Sequence, residues 1–356
     1  MKWKSYISSV MLKIQLYVVA KYSFLFSLLL FVLTPQASSQ SMTAQRQKGV
    51  CWVGGREVVT EKELTALVIN NINWISQTPF AWQRDVGSSS IRINTTSDHI
   101  WWGESDDGIS KTTALARKLG IKTILKPHLW VRDGWPGDIT MKSDTAWQRW
   151  FKNYEDFILH YAQLAQKNKI EIFCIGTELQ QTTTREREWR TIITKIRTVY
   201  SGKIIYAANF HEEYEHIQFW DALDFIGVQA YFPLAKNQQA SLNELVKNWN
   251  EPLAAIERIH KKFNKPVVFT EIGYRSDVDA AIEPWRWPQE ASGVPISNEA
   301  QSNCYQAFFK AAWSKSWLAG VYFWKWYPHG PRRMATFDFT PQGKPAEKVL
   351  AENFKK

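Results

Sequence analysis

Two glutamates stand in matching contexts. Glu178 closes the apolar run IEIFCIGTE (170–178), and Glu271 closes PVVFTE (266–271). A carboxylate does not end an apolar run without reason, because burying one unpaired is costly. Along an extended chain alternate side chains share a face. That rule groups Ile170, Ile172, Cys174, Gly176 and Glu178, and separately Val267, Phe269 and Glu271. Two carboxyls delivered to one cleft are what hydrolysis of a glycosidic bond with retention requires. One must stay protonated to meet the leaving oxygen, and the other must stay ionised to attack the anomeric carbon. Tyr231 is a candidate donor to Glu271, which leaves Glu178 as the acid/base. The residues just before Glu271 offer it no evident structural partner.

The elements that must position these groups alternate in type. Apolar strand runs fall at 48–55, 74–83, 121–131, 170–178, 203–210, 223–232, 266–274 and 320–327. Helical spacing fills 61–72, 105–119, 144–166, 186–200, 242–263, 299–317 and 345–354. The alternation predicts a single α/β domain over 48–356, a parallel (β/α)₈ TIM barrel. Residues 84–99 read as a long loop or a short extra hairpin on the rim, and 277–295 as a loop after the seventh strand.

Active sites of such barrels form at the C-terminal strand ends. From the second strand onward those ends hold Gln77, His128, Trp130, Glu178, Asn209, His211, Tyr231, Glu271, Trp324 and Trp326. Glu178 and Glu271 are the catalytic candidates. His128, Trp130, Asn209, Tyr231 and Trp324 are the candidate substrate contacts, with Trp324 as the floor of a sugar site. Lys126 shares a predicted face with His128 and Trp130. Trp82, Trp101, Trp102 and Trp326 are rim candidates, and Arg92 a weaker one. Glu213 and His216 have a Glu-x-x-His spacing, but in a polar stretch read as solvated loop. No ligand-spaced histidine accompanies either strand-end glutamate, so neither a metal nor a cofactor is expected.

Composition bounds the rest. The 356 residues are 45% hydrophobic and 22% charged, an ordinary globular balance, but they include 19 Trp. Indoles fill cores, and exposed ones offer flat platforms to sugar rings. Lys2, Lys4, Lys13 and Lys21 precede the apolar run Phe24–Leu33, and PQASSQS follows. This predicts a cleavable signal segment over 1–40, with cleavage between Ala37 and Ser41. The apolar run is short for a membrane span, so no stable span is expected after processing and the protein is expected to be secreted or periplasmic. Removing those four lysines takes the net charge from +10 to +6. No basic run marks a nucleic-acid partner; the expected partner is a poly- or oligosaccharide substrate. Cys51, Cys174 and Cys304 have no close spacing, which argues against a disulfide framework.

Five motifs carry a family likeness: TPFAWQ (78–83), LKPH (125–128), IGTEL (175–179), FTEIGYRS (269–276) and FWKWYP (323–328). Through them residues 48–330 resemble the clan of retaining glycosidases on (β/α)₈ barrels, clan A, and within it glycoside hydrolase family 113. Characterised members of that family are endo-β-1,4-mannanases. The resemblance implies Glu178 as acid/base, Glu271 as nucleophile, Tyr231 orienting the nucleophile and Trp324 lining the subsite where the bond breaks. One position departs from the clan, which has Asn before the acid/base as a donor to the sugar 2-hydroxyl; here it is Thr177, a shorter donor that stands as a further candidate substrate contact. The expectation is a secreted retaining hydrolase of β-1,4-mannan. Alternatives are an enzyme for another β-glycan, such as β-glucan or β-galactan, and a non-catalytic glycan-binding barrel.

Overall fold

A computed structural model of the chain describes residues 46–93, 95, 100–291, 293–330 and 337–356. The segment read as a signal, 1–40, lies outside these residues. Residues 46–356 form one compact unit. Its strands are β1 (Gln47–Trp52), β2 (Trp74–Gln77), β3 (Phe80–Asp85), β4 (Arg92–Ile93), β5 (Lys122–Leu125) and β6 (His128–Asp133). They continue as β7 (Ile172–Thr177), β8 (Lys203–Asn209), β9 (Phe225–Gln229), β10 (Val267–Ile272) and β11 (Leu318–Trp326). Eight of them close a parallel barrel in the order β1, β2, β5, β7, β8, β9, β10, β11. The predicted TIM barrel is the observed fold. No helix among the described residues is long and apolar enough to cross a membrane.

Two predicted strands are each two strands. The run 74–83 divides into β2 in the barrel and β3 outside it, and 121–131 divides into β5 and β6. The breaks fall at Pro79 and Pro127, which have no N–H for a ladder. Beyond them β3 and β6 pair in parallel, Phe80 opposite His128 and Trp82 opposite Trp130, and β4 adds antiparallel to β3. Of 84–99, read as a long loop or a short extra hairpin, residues 92–93 form β4 and fold back on β3, while 94 and 96–99 lie outside the described residues. The long helical stretch 242–263 is likewise two helices, Leu242–Asn248 and Asn250–Phe263.

The strands bury both faces. Val50, Leu125, Phe173, Ile226, Phe269 and Phe323 pack outward against the helices. Inside the barrel, Cys51, Trp74, Ile124, Cys174, Ile205 and Tyr322 belong to a second apolar cluster. Helix Asp144–Lys167 shows how sequence builds the outer layer. Ser143 caps its first turn through Ala146 N–H, and Trp150, Tyr154, Phe157, Ile158 and Tyr161 recur at helical spacing on its buried side. The inner cluster is shaped by small residues beside large ones. Gly49 pairs with Tyr322 across β1 and β11, and a methyl on it would meet the tyrosine ring at 2.4 Å.

That contact yields a test of the packing. Gly49→Ala has no room without moving a ring locked inside the barrel, and overpacking of this kind costs about 1–3 kcal/mol. The expected result is a lower midpoint in urea unfolding with an unchanged slope. An unchanged midpoint would mean that the inner layer yields freely.

Candidate active site

Both catalytic candidates reach the barrel mouth by the same local device. In β7 the register against β8 shifts between Cys174 and Thr177, and in β10 the register against β9 shifts between Phe269 and Glu271. Such a bulge inserts one residue and reverses which face the following side chains take. Val267 and Phe269 therefore face the helices, while Glu271 points inward to Lys126 and Tyr231. On β7, a Cβ at Gly176 would meet the outward-packed rings of Trp189 and Tyr206. Thr177 turns inward to the Cys174 thiol, 3.8 Å away. Glu178 then takes the left-handed conformation, φ 52°, which aims it into the mouth. The expected shared faces (Gly176 with Glu178, and Val267 and Phe269 with Glu271) are thus corrected: the carboxyls arrive because alternation breaks.

The mouth is an open cleft of about 1550 Å³. Seven of the eight sequence candidates line it: His128, Trp130, Glu178, Asn209, Tyr231, Glu271 and Trp324. Thr177 is placed differently, with its hydroxyl near the Cys174 thiol, and the amide on the Glu178 carboxyl comes from Asn209 on the next strand. Gln77 is a fold residue, its amide donating to Thr113 Oγ1 at 2.8 Å. Trp326 is buried in the outer layer rather than on the rim. Trp82 is exposed and lies 6.3 Å from Trp130 on the neighbouring strand, while Trp101 lies against Arg56.

The two carboxyls sit in opposite fields. Burial alone would raise Glu271, but the Lys126 ammonium paired with its Oε1 and the Tyr231 hydroxyl donating to its Oε2 at 2.7 Å more than offset that. Glu271 is held below the usual carboxylate range. Lys126 is itself buried, and Glu271 beside it keeps it charged. His128 Nε2 lies 3.6 Å from Glu271 Oε1, yet burial and then Lys126 push the imidazole down to about 3, so it is neutral. Its ring stacks toward Trp324, with centroids 6.4 Å apart. Glu271 therefore has the structural partner that the preceding residues did not reveal, four strands away around the barrel.

Glu178 has no cation of its own. Burial, then the negative charge of Glu271, raise it to about 7. Asn209 Nδ2 donates to its Oε1 at 2.7 Å, and the Trp135 indole also hydrogen-bonds it. Near neutral pH the site thus holds one anionic carboxyl and one that keeps its proton about half the time in the same cleft, the division that general acid and nucleophile require.

Sequence reasoning missed five contributors. Lys126 carried a signal, since a lysine in phase with Ile124 in an apolar run demands a buried partner. Trp135, Trp285 and Trp287 carried none, because a loop indole reads the same wherever it lands. All three line the cleft. Glu213 is the fifth. It was read as solvated and is buried, with its carboxyl accepting from Tyr206 and from the Asn209 amide. Among the described residues no group of three or more metal-ligating side chains gathers.

Known proteins resemble the chain over most of its length. The model of Glycoside Hydrolase Family 113 matches residues 54–338. A GH113 β-mannanase from Alicyclobacillus acidocaldarius, solved in complex with ManMIm, superposes with a TM-score of 0.75 at 27% identity, covering 87% of this chain and 97% of that one. A second solved GH113 β-1,4-mannanase gives 0.75 at 26% identity, covering 88% and 99%. A β-glucuronidase from Ruminococcus gnavus shares the fold at 13% identity, with a TM-score of 0.59 over 87% of this chain and 50% of its own. No curated protein matches the sequence.

The electrostatic division can be measured without substrate. In Glu271→Gln the charge that raises Glu178 is gone, so the Glu178 carboxyl should titrate well below its value of about 7 in the parent protein. Carbon-13 titration of the labelled carboxyls reads this directly. An unchanged Glu178 would show that Glu271 does not act on it.

Proposed function

The chain belongs to glycoside hydrolase family 113 and is a glycoside hydrolase; on that premise we propose a retaining endo-β-1,4-mannanase that acts by double displacement. The observation that carries the mechanism is the opposite polarisation of two carboxyls facing one cleft, with Glu271 held ionised by Lys126 and Tyr231 and Glu178 raised to about 7. In the first step Glu178 protonates the departing oxygen while Glu271 attacks the anomeric carbon, giving a covalent glycosyl-enzyme. In the second, Glu178 takes a proton from water, which displaces Glu271 from the sugar. Trp324 offers the face on which the reacting ring rests.

Mannan as substrate is supported by the two mannanases above, and a polymer rather than a small glycoside by the cleft itself. The loop after β10 places Trp285 and Trp287 on it, each more than two-fifths exposed. Trp287 meets Trp130 and Phe339 edge-on, at 6.4 Å each, on the side of Trp324. Trp285 stacks on Phe210 at 5.3 Å, one residue from the Asn209 that holds Glu178. The buried Arg275 fixes this loop by donating to the carbonyls of Glu283 and Arg286 while paired with Asp277 at 2.6 Å. One loop thus lays indoles to both sides of the bond to be broken. Thr177 favours a wider panel in the test, since its hydroxyl is turned to Cys174 and away from the clan's 2-hydroxyl contact. Action outside the cytoplasm rests on the lysine-flanked apolar segment within residues 1–40.

The test is turnover of dyed mannan, β-glucan and β-galactan by the parent enzyme and Glu178→Ala, with a dinitrophenyl β-glycoside alongside. Mannan should be the preferred polymer. Glu178→Ala should lose the polymer, retain glycosylation by the activated glycoside and accumulate the intermediate, and azide should restore turnover as a β-glycosyl azide. Equal losses on both substrates without rescue would remove Glu178 as acid/base. For the nucleophile, Glu271→Gln is the better variant than Ala. Truncation strands Lys126 in the barrel, and breaking a buried pair costs about 3–5 kcal/mol.

The indoles make a separate prediction. Trp285→Ala and Trp287→Ala should each raise KM on manno-oligosaccharides long enough to reach them, and leave the activated monosaccharide glycoside within about twofold. An equal change on both substrates would show that the loop shapes the catalytic centre instead.

A further inference from the structure

Glu213 is a buried carboxyl that no step of the proposed mechanism uses, and its surroundings explain why it is there. Its Oε1 accepts from the Tyr206 hydroxyl at 2.5 Å. That hydroxyl accepts in turn from Leu179 N–H at 2.8 Å, the amide that follows Glu178. Its Oε2 accepts from Asn209 N–H at 2.5 Å, and Asn209 Nδ2 donates to Glu178 Oε1. One carboxyl therefore reaches the acid/base by two routes, through the backbone on its C-terminal side and through the side chain that holds its oxygen. Non-glycine residues with left-handed backbone stand on both segments it ties: Glu178 at φ 52° and Glu212 at φ 62°. Such conformations persist only where the surroundings over-determine them.

We propose that Glu213 is a positioning residue for the acid/base, holding Glu178 in its left-handed turn through Tyr206 and aiming Asn209 at its carboxyl. This rests on the reading of Glu178 as general acid and goes beyond it. The role needs one group that meets both the Tyr206 hydroxyl and the Asn209 N–H, and a carboxyl supplies one oxygen to each. It also sets a sign. Asn209 favours the ionised form of Glu178, so freeing Asn209 raises Glu178 further and moves the alkaline limb of kcat/KM to higher pH. Glu271 and Lys126 also act on Glu178, and neither touches Glu213; Glu213 itself faces Glu178 and is raised to about 8, by burial first, so near neutral pH it is mostly uncharged and its loss takes little repulsion from Glu178.

The experiment compares Glu213→Leu, Glu213→Gln and Tyr206→Phe on mannan and on a dinitrophenyl β-glycoside, with Glu178→Ala as the control. Glu213→Leu should lower kcat on mannan by about 10²-fold, the lower end of what general acid catalysis supplies, with KM little changed. Glycosylation by the activated glycoside should stay within about threefold, and the alkaline limb should move up. Glu213→Gln still offers an oxygen to Asn209 N–H and an amide to the tyrosine oxygen, so it should recover most of the loss. Tyr206→Phe removes one route only and should fall between them, which keeps the test decisive should the leucine variant not fold. Equal losses on both substrates with an unmoved alkaline limb would make Glu213 a stability residue and overturn the proposal. If Glu178→Ala itself shows no dependence on the leaving group, it is the assignment of the general acid that fails.

Discussion

The Lys126–Glu271 pair is the interaction from which the rest of the site follows. Each charge alone would be unsustainable inside the barrel, and a buried pair holds only when its remaining valences are met. Tyr231 takes the second oxygen of Glu271, and the neutral His128 sits beside the pair without adding charge to it. The permanent anion that results does two things. In the proposed mechanism it is the nucleophile, ionised at neutral pH, and it is a charge that Glu178 must oppose in order to ionise. The placement of Lys126 is itself a consequence of chain geometry. Barrel strand β5 stops at Leu125 and Pro127 cannot extend it, so Lys126 is the last residue directed into the barrel before the chain leaves for the second sheet.

The barrel, its eight strands and the two catalytic candidates were legible because each left a composition signal: apolar runs, a helical period between them, and a carboxylate where none should end a run. The reason those carboxylates point inward was not legible. Strict alternation puts Glu271 with Phe269, which packs against Trp249 on the helix side, centroids 6.0 Å apart. A bulge leaves no local sequence mark here, since Thr270–Glu271 and Ile175–Thr177 look like ordinary strand. What selects it is pairing with the neighbours: Gln229 receives a bond from Thr270 while standing opposite Glu271. That is information held by two strands, not one. The same limit explains the misread strands. The apolar run continues through Pro79 and Pro127, but the hydrogen-bond partner changes.

The tryptophans divide along a line that composition does not draw. Trp52, Trp150, Trp189, Trp220, Trp249 and Trp326 are fully buried, and their rings are the bulk that separates the helices from the barrel. Trp82, Trp130, Trp285 and Trp287 are exposed, and all four stand on additions to the barrel: the β3–β6 sheet and the loop after β10. A minimal barrel would have neither addition. Ten of the indoles thus fall into two populations, one that stabilises the barrel and its helices and one that stands on the additions around the cleft, while Trp74 and Trp324 lie in the inner cluster and Trp101 is exposed against Arg56. Trp326 was misplaced because it shares strand phase with Trp324, and the phase slips once more where β1 and β11 lose register between Val50 and Trp52.

The partners given to the two carboxyls differ in kind, and the difference matters for a reaction with two steps. Glu271 is met by a cation, which fixes its charge as well as its place. Glu178 is met by Asn209 and Trp135, neutral donors that fix place while leaving the proton free to move. A lysine there would anchor the group better and would also hold it ionised, with no proton to give. In the proposed mechanism Glu178 must first lose a proton to the leaving oxygen and then take one from water. The switch between these roles needs no motion. Once Glu271 is esterified to the sugar its charge is gone, the main opposition to ionising Glu178 after burial goes with it, and the group that was an acid is left as a base. This works only if Glu178 keeps its position through both protonation states. A rigid framework outside the exchange must then hold it, and the buried carboxyl of Glu213, tied to its backbone through Tyr206 and to its oxygen through Asn209, provides one that does not itself touch the substrate.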